Sequence, residues 1–302
     1  MTKLSPLASV SETRAVLEAH GLSTQNFLIN DAILQKIVAL ADLAPDDYVL
    51  EVGPGIGTLT IALLKNAGRV LSVERAPDLP AVLAETLAPW SDRFSLISKD
   101  ALDLTMDDLR EAGTPSGALP DKFVANLPYA VAATVVLDYF EQFASLDSAT
   151  VMVQKEVADR MAAVPGTKNY GAYTVKLRLH AEPAGRFGVG PGNFFPPPRV
   201  ESAVLRLDRR PVFDDDGVQL DADAIVAACT MAEAAFATRR KTLSNSCKTY
   251  FAGRGPQGAA VIAALPQLFE RAGVDPRLRG ETLDLPAFVR LGRAYQQLGA
   301  PA

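Results

Sequence analysis

Apolar residues follow two rhythms along this chain. Over the first 150 residues, short continuous apolar runs alternate with segments in which apolar positions recur every three or four residues. The runs are VLEV (49–52), RVLSVE (69–74), FSLIS (94–98), KFVA (122–125) and ATVMVQ (149–154). Short runs without polar alternation read as strands buried on both faces. Helical spacing at Thr58–Leu64 and around Leu79–Leu87 fits the crossovers between them. The pattern therefore predicts an α/β fold, a parallel sheet covered by helices. Ahead of it, SETRAVLEAH reads as a helix capped by Ser11, and AILQKIVALADL as a helix capped by Asp31.

Beyond Gln154 come another helix, the segment NYGAYTVKLRLH, the Pro/Gly-rich loop GVGPGNFFPPPR and a last strand, SAVLRL (202–207). The charged, strand-poor stretch RRPVFDDDGVQLDAD (209–223) reads as a domain boundary, and helical spacing dominates from about residue 220 onward. The expected organisation is an α/β domain with an N-terminal helical arm over 1–208 and a smaller helical domain over 219–302.

Composition adds exclusions. No apolar run is long enough to cross a bilayer. The start MTKLSPLASVSETR lacks the basic and apolar blocks of a secretory signal, so a cytoplasmic protein is expected. Cys229, Cys247, His20 and His180 are the full set of cysteines and histidines, which excludes a disulfide framework and leaves no Cys/His metal site to expect. Net charge is −5, but it is divided: residues 41–150 carry 17 acids and 7 bases, while 155–210 carry 10 bases and 5 acids. No acid occurs between Glu233 and Glu270, where Arg239, Arg240, Lys241, Lys248 and Arg254 lie. A polyanion can therefore be accommodated by the second half of an acidic protein, although two solvated faces of unlike sign would look the same.

Chemistry gathers at strand ends, where ligands collect in parallel sheets. EVGPGIGT (51–58) sets Gly53, Gly55 and Gly57 between a strand and a helix, but Thr58 breaks the dinucleotide fingerprint and no P-loop lysine follows. Glu51, just ahead, would repel phosphate and suits a cationic ligand such as the ammonium or sulfonium of S-adenosylmethionine. Glu74 ends the second strand, where a carboxylate can accept from two ribose hydroxyls, and Asp100 follows the third, where it can accept from an adenine amine. Single acids in such places are often helix caps; recurrence after three successive strands is the stronger signal.

After the fourth strand stands Asn126-Leu127-Pro128-Tyr129. The Asn126 amide oxygen and the Leu127 carbonyl, followed by a proline without N–H, can accept hydrogen bonds from an exocyclic amine. Tyr129 can stack on the attached ring. This resembles the signature of methyltransferases that act on adenine N6. No cysteine nucleophile or histidine base lies nearby.

TQNFLIN (24–30), EVGPGIGTLT (51–60), NLPY (126–129), QKEVADRM (154–161), NYGAYTV (169–175), NFFPPPRVESAVLRL (193–207) and AFATRRKTLSNS (235–246) occur in this order. Together they resemble the bacterial 16S ribosomal RNA adenine dimethyltransferase family over nearly the whole chain. The resemblance implies a Rossmann-like, S-adenosylmethionine-dependent methyltransferase sheet with a smaller C-terminal helical domain. It implies an enzyme that dimethylates N6 of two adjacent adenosines near the 3′ end of the small-subunit RNA. It also implies cofactor contacts from Asn26, Leu28, Gly53, Gly55, Glu74, Asp100 and Asn126, with Asn126, Leu127, Pro128 and Tyr129 at the target base. Phe194 would be a second aromatic wall opposite Tyr129, with Phe195 packed in the core. Arg239, Arg240 and Lys241 would contact RNA, and a monomer is expected to act on the small ribosomal subunit. The chain departs from the pattern at Ala130-Val131-Ala132-Ala133, where polar residues are usual, and in the EAHGLSTQ run. Two rivals are a 23S ribosomal RNA adenine methyltransferase of the macrolide-resistance type and a non-catalytic ribosome-assembly factor. RRKTLSNS speaks against the first, and NLPY with Glu74 and Asp100 against the second.

Overall fold

The computed structural model describes residues 3–22, 26–112 and 117–298. Thr24 and Gln25 of TQNFLIN lie outside the described residues. The strands are β1 (Phe27–Leu28), β2 (Tyr48–Val52), β3 (Arg69–Glu74), β4 (Phe94–Ser98), β5 (Lys122–Asn126), β6 (Ser148–Gln154), β7 (Ala181–Val189), β8 (Phe194–Phe195) and β9 (Ser202–Arg209). The α-helices are α1 (Val10–His20), α2 (Asp31–Ala41), α3 (Thr58–Leu64), α4 (Leu79–Thr86), α5 (Met106–Glu111), α6 (Ala132–Gln142), α7 (Lys155–Met161), α8 (Ala172–Arg178), α9 (Ala222–Phe236), α10 (Leu243–Ala252), α11 (Gly255–Ala272) and α12 (Leu285–Gln296).

Seven strands form one sheet in the order β4-β3-β2-β5-β6-β9-β7. β4, β3, β2, β5 and β6 run parallel, and β9 joins β6 antiparallel. The five expected parallel strands are therefore present, and β2 and β6 are buried along nearly their whole length, as their unbroken apolar runs require. From β2 the chain steps outward through β3 to β4. It then returns to β5 on the other side of β2 and continues to β6, so the order reverses between β2 and β5. Such a reversal opens a crevice at the strands' carboxyl ends.

Three local readings need correction. Ser9, not Ser11, caps α1, accepting from the Glu12 amide at 3.3 Å. Asn30, not Asp31, caps α2; Asp31 instead accepts from the Leu4 and Ser5 amides and so ties the N-terminal arm down. β7 was not expected, because Pro183, Gly185 and Gly188 interrupt the pattern that marks a strand; as an edge strand it tolerates them.

Contacts divide the chain into two units, 1–158 with 183–209 and 159–182 with 210–302. The helical unit thus takes in residues 159–182, which the reading of the sequence assigned to the α/β domain. Its core is made by Tyr170, Val175, Met231, Leu243, Phe251, Leu268 and Phe288, so α8 packs with the later helices. Among the described residues, no helix is long and apolar enough to cross a membrane.

Candidate active site

The sheet explains why its strand ends meet. Gly53 follows β2, Glu74 ends β3, Asp100 follows β4 and Asn126 ends β5, all on the carboxyl edge. Between β2 and α3 the backbone turns through Gly53, Gly55 and Gly57 at φ of 68°, 57° and 92°, a region that side chains resist. A Cβ on Gly53 would lie 3.6 Å from Pro128 Cδ and 3.9 Å from the Asn126 carbonyl oxygen. The glycine turn and the NLPY turn therefore touch across the reversal of strand order.

Below them opens a cavity of about 710 Å³. Asn26, Leu28, Gly53, Gly55, Glu74, Asp100, Asn126, Leu127, Pro128, Tyr129 and Phe194 all line it. Glu51 and Gly57 apart, the site residues expected in the α/β unit are thus brought to one place. Ala130 and Val131 line it too, so the departure from the polar pattern after NLPY falls on the cavity wall. Leu28 and Phe194 reach it from paired strands, for β1 and β8 are antiparallel with Leu28 opposite Phe194 and Phe27 opposite Phe195. Asn30 Nδ2 donates to Asn193 Oδ1 at 2.8 Å and fastens this ribbon at its end. Phe194 is buried while facing the cavity, so it belongs to wall and core at once. Phe195 packs partly on the core, with the Arg14 guanidinium 5.3 Å from its ring centroid.

The polar groups are held in place. Glu74 Oε1 accepts from the Ala76 amide at 2.8 Å. Asp100 Oδ1 accepts from the Leu102 amide at 3.1 Å and Oδ2 from Arg75 Nη1 at 3.0 Å. The backbone amide first, and then the guanidinium, hold its carboxyl below the usual range. Tyr129 Oη lies 2.8 Å from Ser202 Oγ.

Glu51 does not line the cavity and is not placed to receive a cationic ligand. It is 1% exposed, and its Oε2 accepts from Thr60 Oγ1 at 2.8 Å and Ser72 Oγ at 2.7 Å. Burial pushes its carboxyl up to about 7. Alternation within β2 turns this residue inward instead of along the strand toward its end.

Three residues near the cavity escaped the reading of the sequence. Phe27 sits where a Cβ on Gly55 would come within 3.2 Å of its Cε1, so the glycine admits the ring. Arg75 lines the cavity and braces Asp100; its signal was its place next to Glu74. Ser202 stands in the sequence only as the first residue of the strand SAVLRL.

In the helical unit the AFATRRKTLSNS motif divides. Arg239 Nη2 donates to the carbonyls of Lys168 at 2.9 Å and Tyr170 at 3.4 Å, and lies 3.5 Å from Glu281 Oε2. Thr242 caps α10, and Ser246 Oγ donates to the Ala234 carbonyl at 2.8 Å. Arg240 and Lys241 are exposed.

The sequence matches the family described as ribosomal RNA adenine dimethylase over residues 17–263. It is 40% identical over 275 residues to the ribosomal RNA small subunit methyltransferase A of Corynebacterium diphtheriae, covering 89% of this chain and 87% of that one. Among solved structures, a dimethyladenosine transferase from Plasmodium falciparum shares the fold at a TM-score of 0.74 and 22% identity, covering 91% of this chain and 99% of that one. The 23S rRNA methyltransferase ErmE shares it at 0.62 and 26%, covering 90% and 100%. A match that runs from α1 into α11, with the motif residues of the α/β unit converging on one cavity, leaves a single assignment: the chain belongs to the ribosomal RNA adenine dimethylase family.

Proposed function

We propose that this chain dimethylates N6 of two adjacent adenosines near the 3′ end of 16S rRNA during assembly of the small ribosomal subunit, with S-adenosylmethionine as methyl donor. The observation that carries the proposal is the meeting of the glycine turn, Glu74, Asp100 and the NLPY turn on one cavity. The cavity suits the cofactor. Its volume of about 710 Å³ falls in the range of small-molecule sites. In the Gly53–Gly57 turn, Gly53 and Gly55 present backbone without a side chain to the cavity, and Glu74 and Asp100 offer acceptors for ribose hydroxyls and an adenine amine. Bound there, S-adenosylmethionine supplies an electrophilic methyl carbon.

The protein's own residues do the rest. An aniline-like amine is a poor nucleophile because its lone pair is shared with the ring. Accepting hydrogen bonds from it, the Asn126 amide oxygen and the Leu127 carbonyl favour the pyramidal nitrogen and the positive charge that develops on it. Tyr129 and Phe194 hold the flipped base, offsetting its lost stacking, and fix the line of approach. The methylated nitrogen is acidic and gives its proton to solvent, so no general base is required. In the cytoplasm a monomer would suffice, with Arg240 and Lys241 offered to phosphate.

The test is transfer of labelled methyl groups to unmethylated small subunits, mapped to the nucleotide. Label on two adjacent adenosines near the 3′ end of 16S rRNA is expected. Label confined to 23S rRNA would move the chain to the large-subunit activity named for ErmE. RNA binding without any label would make it an assembly factor.

A further inference from the structure

Ser202 opens β9, where it pairs in register with Gln154 at the carboxyl end of β6. It is 1% exposed, and the residues after it, Ala203, Val204 and Leu205, are fully buried. A hydroxyl in such surroundings is costly unless it is hydrogen-bonded. Its bond is to Tyr129 Oη, at 2.8 Å. The strand end that carries Ser202 is itself fixed, because the Lys155 amide donates to the Glu201 carbonyl at 3.0 Å and closes the β6–β9 ladder just beyond it.

Tyr129 needs an anchor. It stands three residues past the end of β5, in a turn and not in the sheet, and its ring is half-buried on the cavity wall. One end of the side chain is set by the turn backbone and the other by Ser202. Conjugation keeps a phenol O–H close to the plane of its ring, so a partner at a fixed point governs the tilt of the ring as well as its reach. We propose that Ser202 is a positioning residue that holds the Tyr129 ring in the plane required to stack on the target adenine. The proposal rests on the reading of Tyr129 as a base-stacking wall and deepens it. A ring ordered in advance spares the complex the cost of ordering it on binding.

The experiment uses the full chain and compares wild type, S202A, Y129F and the double variant. Two readouts are taken: methyl transfer to unmethylated small subunits, and the fluorescence of 2-aminopurine placed at the target position, which reports stacking. Cofactor affinity, measured by calorimetry, serves as the control for folding. S202A is expected to lower kcat/KM about five-fold, the worth of one ordinary hydrogen bond. The loss should come with a weaker stacking signal and unchanged cofactor affinity. Y129F keeps the ring and loses the bond, so it should reproduce both effects, and the double variant should be no worse than either single one. Wild-type turnover and stacking in S202A, or losses that add in the double variant, would overturn the proposal. If S202A fails to bind cofactor, Y129F decides alone, since it leaves β9 intact: a wild-type stacking signal there overturns the role. A wild-type protein that neither methylates nor stacks the base fails at the level of the reaction and takes this role with it. A wild type that does both while the variants match it removes the role of Ser202 only.

Discussion

In the α/β unit, Gly53, Glu74, Asp100 and Asn126 come from the ends of four different strands and meet on one cavity. In the helical unit, the motif from Arg239 to Ser246 is continuous in sequence yet splits in space. Arg239 and Ser246 hold backbone carbonyls of their own unit, Thr242 caps a helix, and Arg240 and Lys241 face solvent. The difference is one of architecture. A parallel sheet whose strand order reverses has a ligand crevice fixed by topology, so residues at its strand ends share a destination before any side chain is considered. A packed set of helices has no such rule, and a conspicuous run of residues there mixes staples with exposed charges.

The largest effect is expected at the crevice. Asn126→Ala removes the side-chain acceptor at the end of β5 while leaving the backbone turn in place. Methyl transfer is expected to fall by about 10²–10³-fold, as when one preorganised polar partner of a developing charge is lost. Cofactor affinity should stay close to wild type. Single-turnover kinetics with small subunits, beside calorimetry with S-adenosylmethionine, check both. Full activity would show that convergence on the cavity does not mark the reaction centre.

Two glutamates extend the contrast to pH. Burial drives both upward. For Glu51, the Ser72 and Thr60 hydroxyls offset burial only in part and the nearby Glu74 charge adds to it, so it stays at about 7. For Glu233, the Tyr250 hydroxyl and the Lys176 ammonium more than reverse the effect and hold it below its ordinary value. At pH values below 4.5, Glu51 is protonated in both folded and unfolded chains. Between 4.5 and about 7 the unfolded chain ionises while the folded α/β unit keeps the proton, so stability is lost as pH rises through that window. The full loss is about 3 kcal/mol. Glu233 has the opposite sign: its contribution is present above the unfolded value and is lost as pH falls through the lower folded one. Glu51→Gln keeps the two hydroxyl partners and should flatten the decline between pH 4.5 and about 7, read by urea unfolding at each pH. An unchanged profile would mean that Glu51 is ionised in the fold.

How much was legible follows the same line. β3 and α3 lie where their apolar runs put them, because a strand buried on both faces has no choice of composition. Gly53, Glu74, Asp100 and Asn126 were legible because topology gives strand ends a common address, whereas Asn26, Leu28 and Phe194, which lie outside the parallel strands, came only from the family resemblance. Glu51 was misread because sequence shows its neighbours along the chain but not Thr60 and Ser72, which fold back on its carboxylate. The assignment of residues 159–182 to the helical unit was invisible, since α8 is as apolar as a sheet-covering helix and only packing says what it covers.

A smaller effect is expected from Gly55→Ala. At φ of 57° an alanine is strained by about 1–2 kcal/mol, and its Cβ would press on the Phe27 ring 3.2 Å away. Phe27 cannot yield without disturbing the β1–β8 ribbon that carries Leu28 and Phe194. Cofactor affinity should drop about ten-fold, the equivalent of that strain if it must be relieved on binding. Unchanged affinity by calorimetry would show that the glycine turn serves folding alone.

The last prediction separates staple from ligand within one motif. Arg239→Ala removes two hydrogen bonds to carbonyls and a long ion pair from a side chain that is half exposed, so a loss of about 1 kcal/mol is expected, discounted for solvent. It should lower the unfolding midpoint while leaving the salt dependence of RNA binding nearly as it was. Replacing Arg240 and Lys241 by alanine should do the reverse: little change in stability, a weaker complex, and a slope of log affinity against log salt that is shallower by about one for each phosphate contact removed. The two measurements cross only if position in space, and not position in the motif, decides the role. A shallower slope in Arg239→Ala at unchanged stability would mean that its guanidinium leaves Lys168 and Tyr170 for phosphate, and the helical unit would then present its motif as a single surface, as the α/β unit does.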